Sequence, residues 1–357
     1  MDFELSEAQR VIAASAADVL KGAGDSPWPA LAGAGLLALT LPGWLDGDDL
    51  GVLDAAVLLT EIGRAAALVP ALATIMLGAL PVARWGSRAQ QERLLAGVGT
   101  GETILTAGIR EQSEPRPAVP TTVATLTGED VGVVTGTKIG VPYAAQTRWL
   151  LIPAALAGGG RTVVVVDPVA AGVAITPTPA SGDSPEATVQ LDEAPITSVL
   201  RAGQEPGRTD AVDDLYLLAT AGAAAQADGA LAGALDLTSG YIAQRQQFGK
   251  PLATFQAVAQ QIADVYIAGR TLHLAALSAN WRLAAGLDAT GDVDLAAFWL
   301  AQEGPAAMRT CHHLHGGIGV DMEYPMVRYS SMINDLTRFV GGADYCLSVL
   351  SGGGDVH

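Results

Sequence analysis

The chain has 357 residues, half of them apolar and 16% charged, so it is long enough for two or three domains and too apolar to be disordered. Its 20 basic against 37 acidic side chains leave a net charge of −17, which sets aside nucleic acid and anionic membrane as partners. Cys311 and Cys346 are the only cysteines; they make neither a disulfide framework nor a CxxC metal site and fit a reducing cytoplasm.

Met1-Asp2-Phe3-Glu4-Leu5 is acidic where a signal peptide is basic and then apolar. Residues 1–102 read as a helical domain. Leu5, Val11, Ile12, Ala16, Val19 and Leu20 form an apolar stripe with Ser6 as its cap. Leu36 to Gly51 reads as loop, Leu53 to Ala67 as helix, and Arg84 to Ala96 as a more polar helix. Ala65 to Ala83 is uncharged and long enough to span a bilayer, but Pro70 and Pro81 interrupt it. It reads as core helix around a break, not as a membrane span.

Residues 103–208 change character, with short runs rich in Val and Thr separated by turn residues. The runs are Thr122–Leu126, Gly132–Gly136, Trp149–Ile152, Thr162–Val166, Val173–Thr176 and Thr188–Leu191. Strands without intervening helices suggest an antiparallel barrel or sandwich. Residues 209–357 return to helical spacing at Leu215–Gln244, Phe255–Leu287, Val293–Leu314 and Pro325–Leu350, an up-and-down four-helix bundle before a frayed tail from Gly352 to His357. The expected class is α+β: an N-terminal helical domain, a middle β domain and a C-terminal bundle.

Between the first two bundle helices stands Arg245-Gln246-Gln247-Phe248-Gly249-Lys250. Arg supplies a fork of donors that matches phosphate, Phe a flat face, and Gly a tight turn. These residue types suit a phosphate-bearing, partly aromatic ligand, and equally a polar loop with a half-buried Phe. The His312-His313-x-His315 cluster has zinc-like spacing but lacks an acidic or Cys ligand in a register that completes a set, so no metal site is expected.

Arg245-x-Gln247-Phe248-Gly249-Lys250-x-Leu252-x-x-Phe255-Gln256, then Ile262-Ala263-Asp264, resembles the acyl-CoA dehydrogenase family. His315-Gly316-Gly317-Ile318-Gly319 with Glu323-Tyr324-Pro325, and Val134-Thr135-Gly136-Thr137-Lys138, match it too. The resemblance covers nearly the whole chain and implies a cytoplasmic tetrameric flavoprotein with FAD at subunit boundaries. It implies that Arg245 pairs with the FAD pyrophosphate and that Gln247 and Phe248 are neighbouring contacts. Gln256 would reach the nucleotide, and Gly316 and Gly317 would let backbone approach the cofactor. His313 stands where the family often has a Gln touching FAD.

The family removes a proton beside a CoA thioester with a Glu base. Of the two places that carry it, one reads Phe339-Val340-Gly341-Gly342-Ala343 here and the other Leu218-Ala219-Thr220-Ala221, with no Glu in either. Asp344, Asp335, Asp213 and Asp214 are the nearest acids, off register and expected to be solvated. The family's Trp-x-Thr is replaced by Gly140-Val141-Pro142, and its flavin loop by a run starting Gly108-Ile109-Arg110-Glu111. The resemblance therefore points to a base-less subunit with no catalytic residue of its own, completing FAD sites in an α2β2 assembly with a base-bearing homologue. Such heteromers occur in actinobacterial steroid side-chain breakdown, and the acyl-CoA is expected from that class. Two other readings stand beside it: a self-sufficient dehydrogenase with a displaced base, Asp344 being the nearest candidate, and a flavin-free scaffold.

Overall fold

A computed structural model describes residues 4–112, 114–201 and 210–352. The expected boundary at 208/209, the start of the N-terminus, Ser113 in the replaced loop and the tail from 353 lie outside them.

Helix α1 (Glu7–Gly22) starts on a reciprocal box in which the Ser6 hydroxyl accepts from the Gln9 N–H and the Gln9 side chain accepts from the Ser6 N–H. Its buried face carries Ile12 and Ala16, whereas Val11 points to solvent, because one residue rotates the helix by about 100°. Helices α2 (Pro27–Gly33) and α3 (Val52–Arg64) follow, separated by an irregular stretch whose Leu36, Leu37, Leu39 and Leu41 are all buried. The uncharged segment around Pro70 and Pro81 is irregular to Ala71, then π-helical over Leu72–Ala79, then α4 (Leu80–Trp85). The Leu80 N–H bonds to the Ile75 carbonyl five residues back. Pro81 has no N–H for the α ladder, and the widened turn absorbs that loss. A short α5 (Arg88–Leu94) completes the region.

The strands are β1 (Leu105–Ala107), β2 (Val123–Leu126), β3 (Gly132–Pro142), β4 (Trp149–Leu156), β5 (Arg161–Val166), β6 (Val173–Thr178) and β7 (Glu186–Leu200). They close into a barrel: β4 pairs β5, β5 pairs β7, β7 pairs β3, β3 pairs β2, and β2 returns to β4. Most pairings are antiparallel, as expected, but β1 and β2 both run parallel to β4. Strands β4 and β5 read as unbroken apolar runs because both of their faces are covered. Leu150, Ile152, Val164 and Val166 fill the barrel, while Leu151, Val163 and Val165 join the helical core.

The bundle is built on α6 (Ala211–Gln244), which is buried nearly all round. Gly222, Gly229 and Gly233 line one face of it. A Cβ at Gly229 would sit 1.8 Å from the Thr60 carbonyl oxygen, so backbone meets backbone where α6 crosses α3. Helices α7 (Gln256–Ala284) and α8 (Thr290–His315) follow. The expected last helix is two, α9 (Met326–Phe339) and α10 (Ala343–Leu350). Gly341 and Gly342 break it with φ of 104° and 82°, a region no other residue enters cheaply. Among the described residues no helix is long and apolar enough to cross a membrane.

Candidate functional site

The seven residues singled out from the sequence gather at one end of the bundle. Arg245 closes α6, its N–H bonding to the Tyr241 carbonyl at 2.8 Å and its own carbonyl accepting from the Leu252 N–H at 2.8 Å. The chain then makes a miniature hairpin in which Gln246 faces Pro251 and Gln247 faces Lys250. Its two turn residues, Phe248 (φ 53°) and Gly249 (φ 78°), are both left-handed, the geometry a two-residue hairpin requires. Phe248 is therefore held at the tip, 92% exposed, not half-buried as in a polar-loop reading. Phe255 stands edge-on to it at 6.2 Å, with the Lys250 Nζ 4.4 Å above the Phe255 ring. Gln256 opens α7, exposed.

The second group comes from the end of α8, where His313 is exposed and Gly316 and Gly317 follow as an open turn. The two groups meet through a ring contact: Tyr241 on α6 stacks on His315 with centroids 4.6 Å apart. Gly316 adopts φ 64°, ψ −142°, a glycine-only conformation. Gly317 has no such excuse. A Cβ on either would meet nothing of this chain within 4 Å, so internal packing does not account for the missing side chains. Among the described residues, no hydrogen bond or ion pair engages the side chains of Arg245, Gln247, Gln256 or His313. A guanidinium, two amides, an exposed ring and a bare Gly-Gly turn on one surface fit a ligand carrying phosphate and a flat ring system.

The three histidines of the cluster diverge. The His312 Nδ1 bonds to the Gly319 carbonyl at 2.7 Å, His313 faces solvent, and His315 is buried.

The two places that lack Glu are closed by the chain itself. Thr220 donates to the Tyr216 carbonyl and meets the Arg116 guanidinium at 3.5 Å. Arg116 is held by Asp294 at 2.7 Å. Two residues on, on another face of α6, a Cβ at Gly222 would lie 2.7 Å from the Met76 side chain, so α6 lies tight against the π-helical segment. At the other place, a Cβ on Gly341 would lie 2.5 Å from the Tyr345 ring and 2.7 Å from Pro115. Nor are the nearest acids free, solvated groups as expected, apart from Asp344. Asp214 is buried between Arg84 and the Trp85 Nε1, both at 2.8 Å. Asp335 accepts from the Ser181 N–H at 2.7 Å and pairs with Arg338. Asp213 is tied to Arg161 at 2.6 Å.

The Gly140-Val141-Pro142 stretch is likewise filled. A Cβ at Gly140 would strike the Arg110 Nη1 at 2.7 Å and meet the Glu186 Oε1 at 3.0 Å, and Glu186 is bound to Arg338 at 2.6 Å. A cavity of about 240 Å3 remains alongside, lined by Leu72, Pro142, Tyr143, Ser184, Met332 and Phe339. That is below the usual range for a ligand pocket, about 300–1,000 Å3. A larger cleft of about 710 Å3 lies beside Arg116, walled by Glu114, Asp213, Asp214, Asp288 and Asp294. Its cations Arg116 and Arg161 are already paired, so it repels a polyphosphate.

The loop carrying Arg110 and Arg116 is anchored from within the barrel. Glu111 receives the Lys138 ammonium at 2.6 Å and the N–H and hydroxyl groups of Thr121 and Thr122 at 2.7–3.0 Å. Burial alone would raise its pKa. The Lys138 charge and those donors outweigh burial and hold it at about 2. Burial pulls Lys138 down to about 8, still a cation at neutral pH. Sequence reasoning found Arg110, Glu111 and Lys138 only as departures from, or matches to, a pattern. It missed Arg116, Asp294 and Glu186, whose partners lie more than 100 residues away.

The family descriptions "Acyl-CoA dehydrogenase, N-terminal domain" and "Acyl-CoA dehydrogenase, C-terminal domain" match 6–102 and 219–345. Acyl-CoA dehydrogenase FadE28 of Mycobacterium tuberculosis is 44% identical over 98% of this chain and 98% of its own length. A crystal structure of the ChsE4-ChsE5 complex from Mycobacterium tuberculosis superposes with a TM-score of 0.90 at 30% identity over 98% of each chain. The Tcur3481-Tcur3483 steroid ACAD superposes at 0.89 with 31% identity over 97% of each. The chain belongs to the acyl-CoA dehydrogenase family, oxidoreductases that act on the CH–CH bond of acyl-CoA thioesters.

Proposed function

We propose that this chain is the base-less subunit of an FAD-dependent acyl-CoA dehydrogenase, and that it completes FAD sites held mainly by a base-bearing homologue in an α2β2 assembly. One observation carries the reading. The cofactor-facing end is open and its polar side chains have no partners among the described residues, while both base positions are filled by the chain's own side chains. The bound flavin would supply the hydride acceptor for desaturation of the acyl group. This chain's part is binding. Arg245 neutralises pyrophosphate charge, and Gln247, Gln256 and His313 offer hydrogen-bonding groups. Phe248 presents a ring face, and Gly316 and Gly317 leave room for backbone to approach. The proton is taken by the partner subunit's base. Because similar proteins include a steroid ACAD and a two-component complex, the substrate class we propose is a steroid side-chain CoA ester.

The test is to express the chain alone and with a base-bearing acyl-CoA dehydrogenase encoded beside it, then record flavin absorbance and acyl-CoA oxidation. Flavin and turnover in the co-expressed sample only, both lost with Arg245→Ala, are the expected result. Flavin and turnover in the lone chain would overturn it and make Asp344→Asn the next variant. A flavin-free complex would leave a scaffold.

A further inference from the structure

We infer that His315 is a positioning residue that locks the two halves of the candidate cofactor surface, the Arg245 hairpin and the Gly316-Gly317 turn, into one relative placement. The inference rests on the cofactor role proposed for that end. His315 is 3% exposed, so it does not reach a ligand itself. Its ring contacts Tyr241 at 4.6 Å and Tyr324 at 5.2 Å. Tyr241 is joined by backbone directly to Arg245, at 2.8 Å, and His315 immediately precedes Gly316. Tyr324 lies just past the Gly-Gly turn. One imidazole thus touches the last turn of α6, the end of α8 and the segment leading into α9.

The ring's own orientation is fixed. Nδ1 lies 2.8 Å from the Cys311 carbonyl, which can only accept, so Nδ1 carries the hydrogen. The Nε2 is buried with no partner, which leaves no acceptor for a second proton. Burial accordingly lowers the pKa, and the ring stays neutral. The turn closes over it from above: a Cβ on Gly319 would lie 2.9 Å from the His315 Cβ and 3.0 Å from the His312 carbonyl oxygen. A side chain that merely filled space would satisfy the core, whereas three aromatic rings in contact set an angle as well as a distance.

The experiment compares His315→Leu, which keeps apolar bulk, with His315→Phe, which keeps the ring. Nitroxide labels on cysteines placed at exposed Gln244 and Val320 report the spacing of the two halves by pulsed electron resonance on the full chain. FAD affinity is measured on the co-purified complex. Leu is expected to broaden the distance distribution and weaken FAD by about three- to tenfold, and Phe to restore both to within about twofold. Unchanged distances and affinity in Leu, or Phe behaving like Leu, would overturn the inference. An Arg245→Ala complex with unaltered FAD affinity would instead sink the cofactor reading, while the label distances would still decide whether His315 sets the geometry.

Discussion

The two ends of the cofactor question look opposite. At the hairpin end the side chains are exposed and short of partners, and Phe248 at the tip is left-handed. Around the two places that lack Glu the chain packs on itself, and the buried charges there are paired: Arg116 with Asp294, Glu186 with Arg338, Asp214 with Arg84. An open end costs little to the fold but is idle without something to bind. A closed interior is stabilised by its own pairs and leaves a cavity of only about 240 Å3 beside Pro142 and Phe339. The contrast teaches that one fold carries a self-paired interior and, at the other end, a surface whose polar side chains have no partners among the described residues.

That contrast can be broken in order of expected effect. Lys138→Met leaves the Glu111 carboxylate buried without its counter-charge, and should cost about 3–5 kcal/mol in urea unfolding of the isolated chain. An unchanged midpoint would mean that the barrel does not depend on this pair. Arg245→Ala should do the reverse. It should leave the unfolding midpoint of the chain alone where it was, yet weaken FAD in the complex by about tenfold to a hundredfold, the worth of charge-assisted hydrogen bonds.

Gly229→Ala pushes a Cβ into the Thr60 carbonyl and should cost about 1–3 kcal/mol by separating α3 from α6, read as a lower melting temperature. Acid should act on the closed region through Glu111. Glu111 titrates at about 2 in the folded chain against an ordinary 4.5, so its stabilisation is full above about 4.5 and is lost as pH falls towards 2. Lys138→Met should flatten that part of the stability–pH curve. Smallest of all, Phe248→Ala should leave stability within about 0.5 kcal/mol, since the ring is exposed, and show itself only in flavin binding.

Much of this was legible in the residues. Runs rich in β-branched residues marked six of the seven strands of the sheet, because those shapes pack well on a pleated surface. The three-residue β1 was too short to read. Gly249 announced a turn, and Arg245 and the Gly-Gly pair, picked out from the sequence, lie exposed at one end of the bundle. The missing Glu at both places was visible by register. What failed was anything set by distant partners. Asp214 and Asp335 read as surface acids because an acid's sequence neighbours do not reveal an arginine packed over it from another element. The last helix read as one because two glycines in a helical pattern do not declare their φ.

By itself, then, the sequence determined the order of helical, β and bundle segments, and which residue types suit a phosphate-bearing ligand. Local periodicity and side-chain chemistry suffice for both. Only the tertiary structure decided that Arg116 packs on Thr220, Tyr345 on Gly341 and Met76 on Gly222, and that one buried imidazole joins two separate motifs. Those outcomes depend on groups far apart in the chain arriving within a few ångströms of each other, which only packing determines.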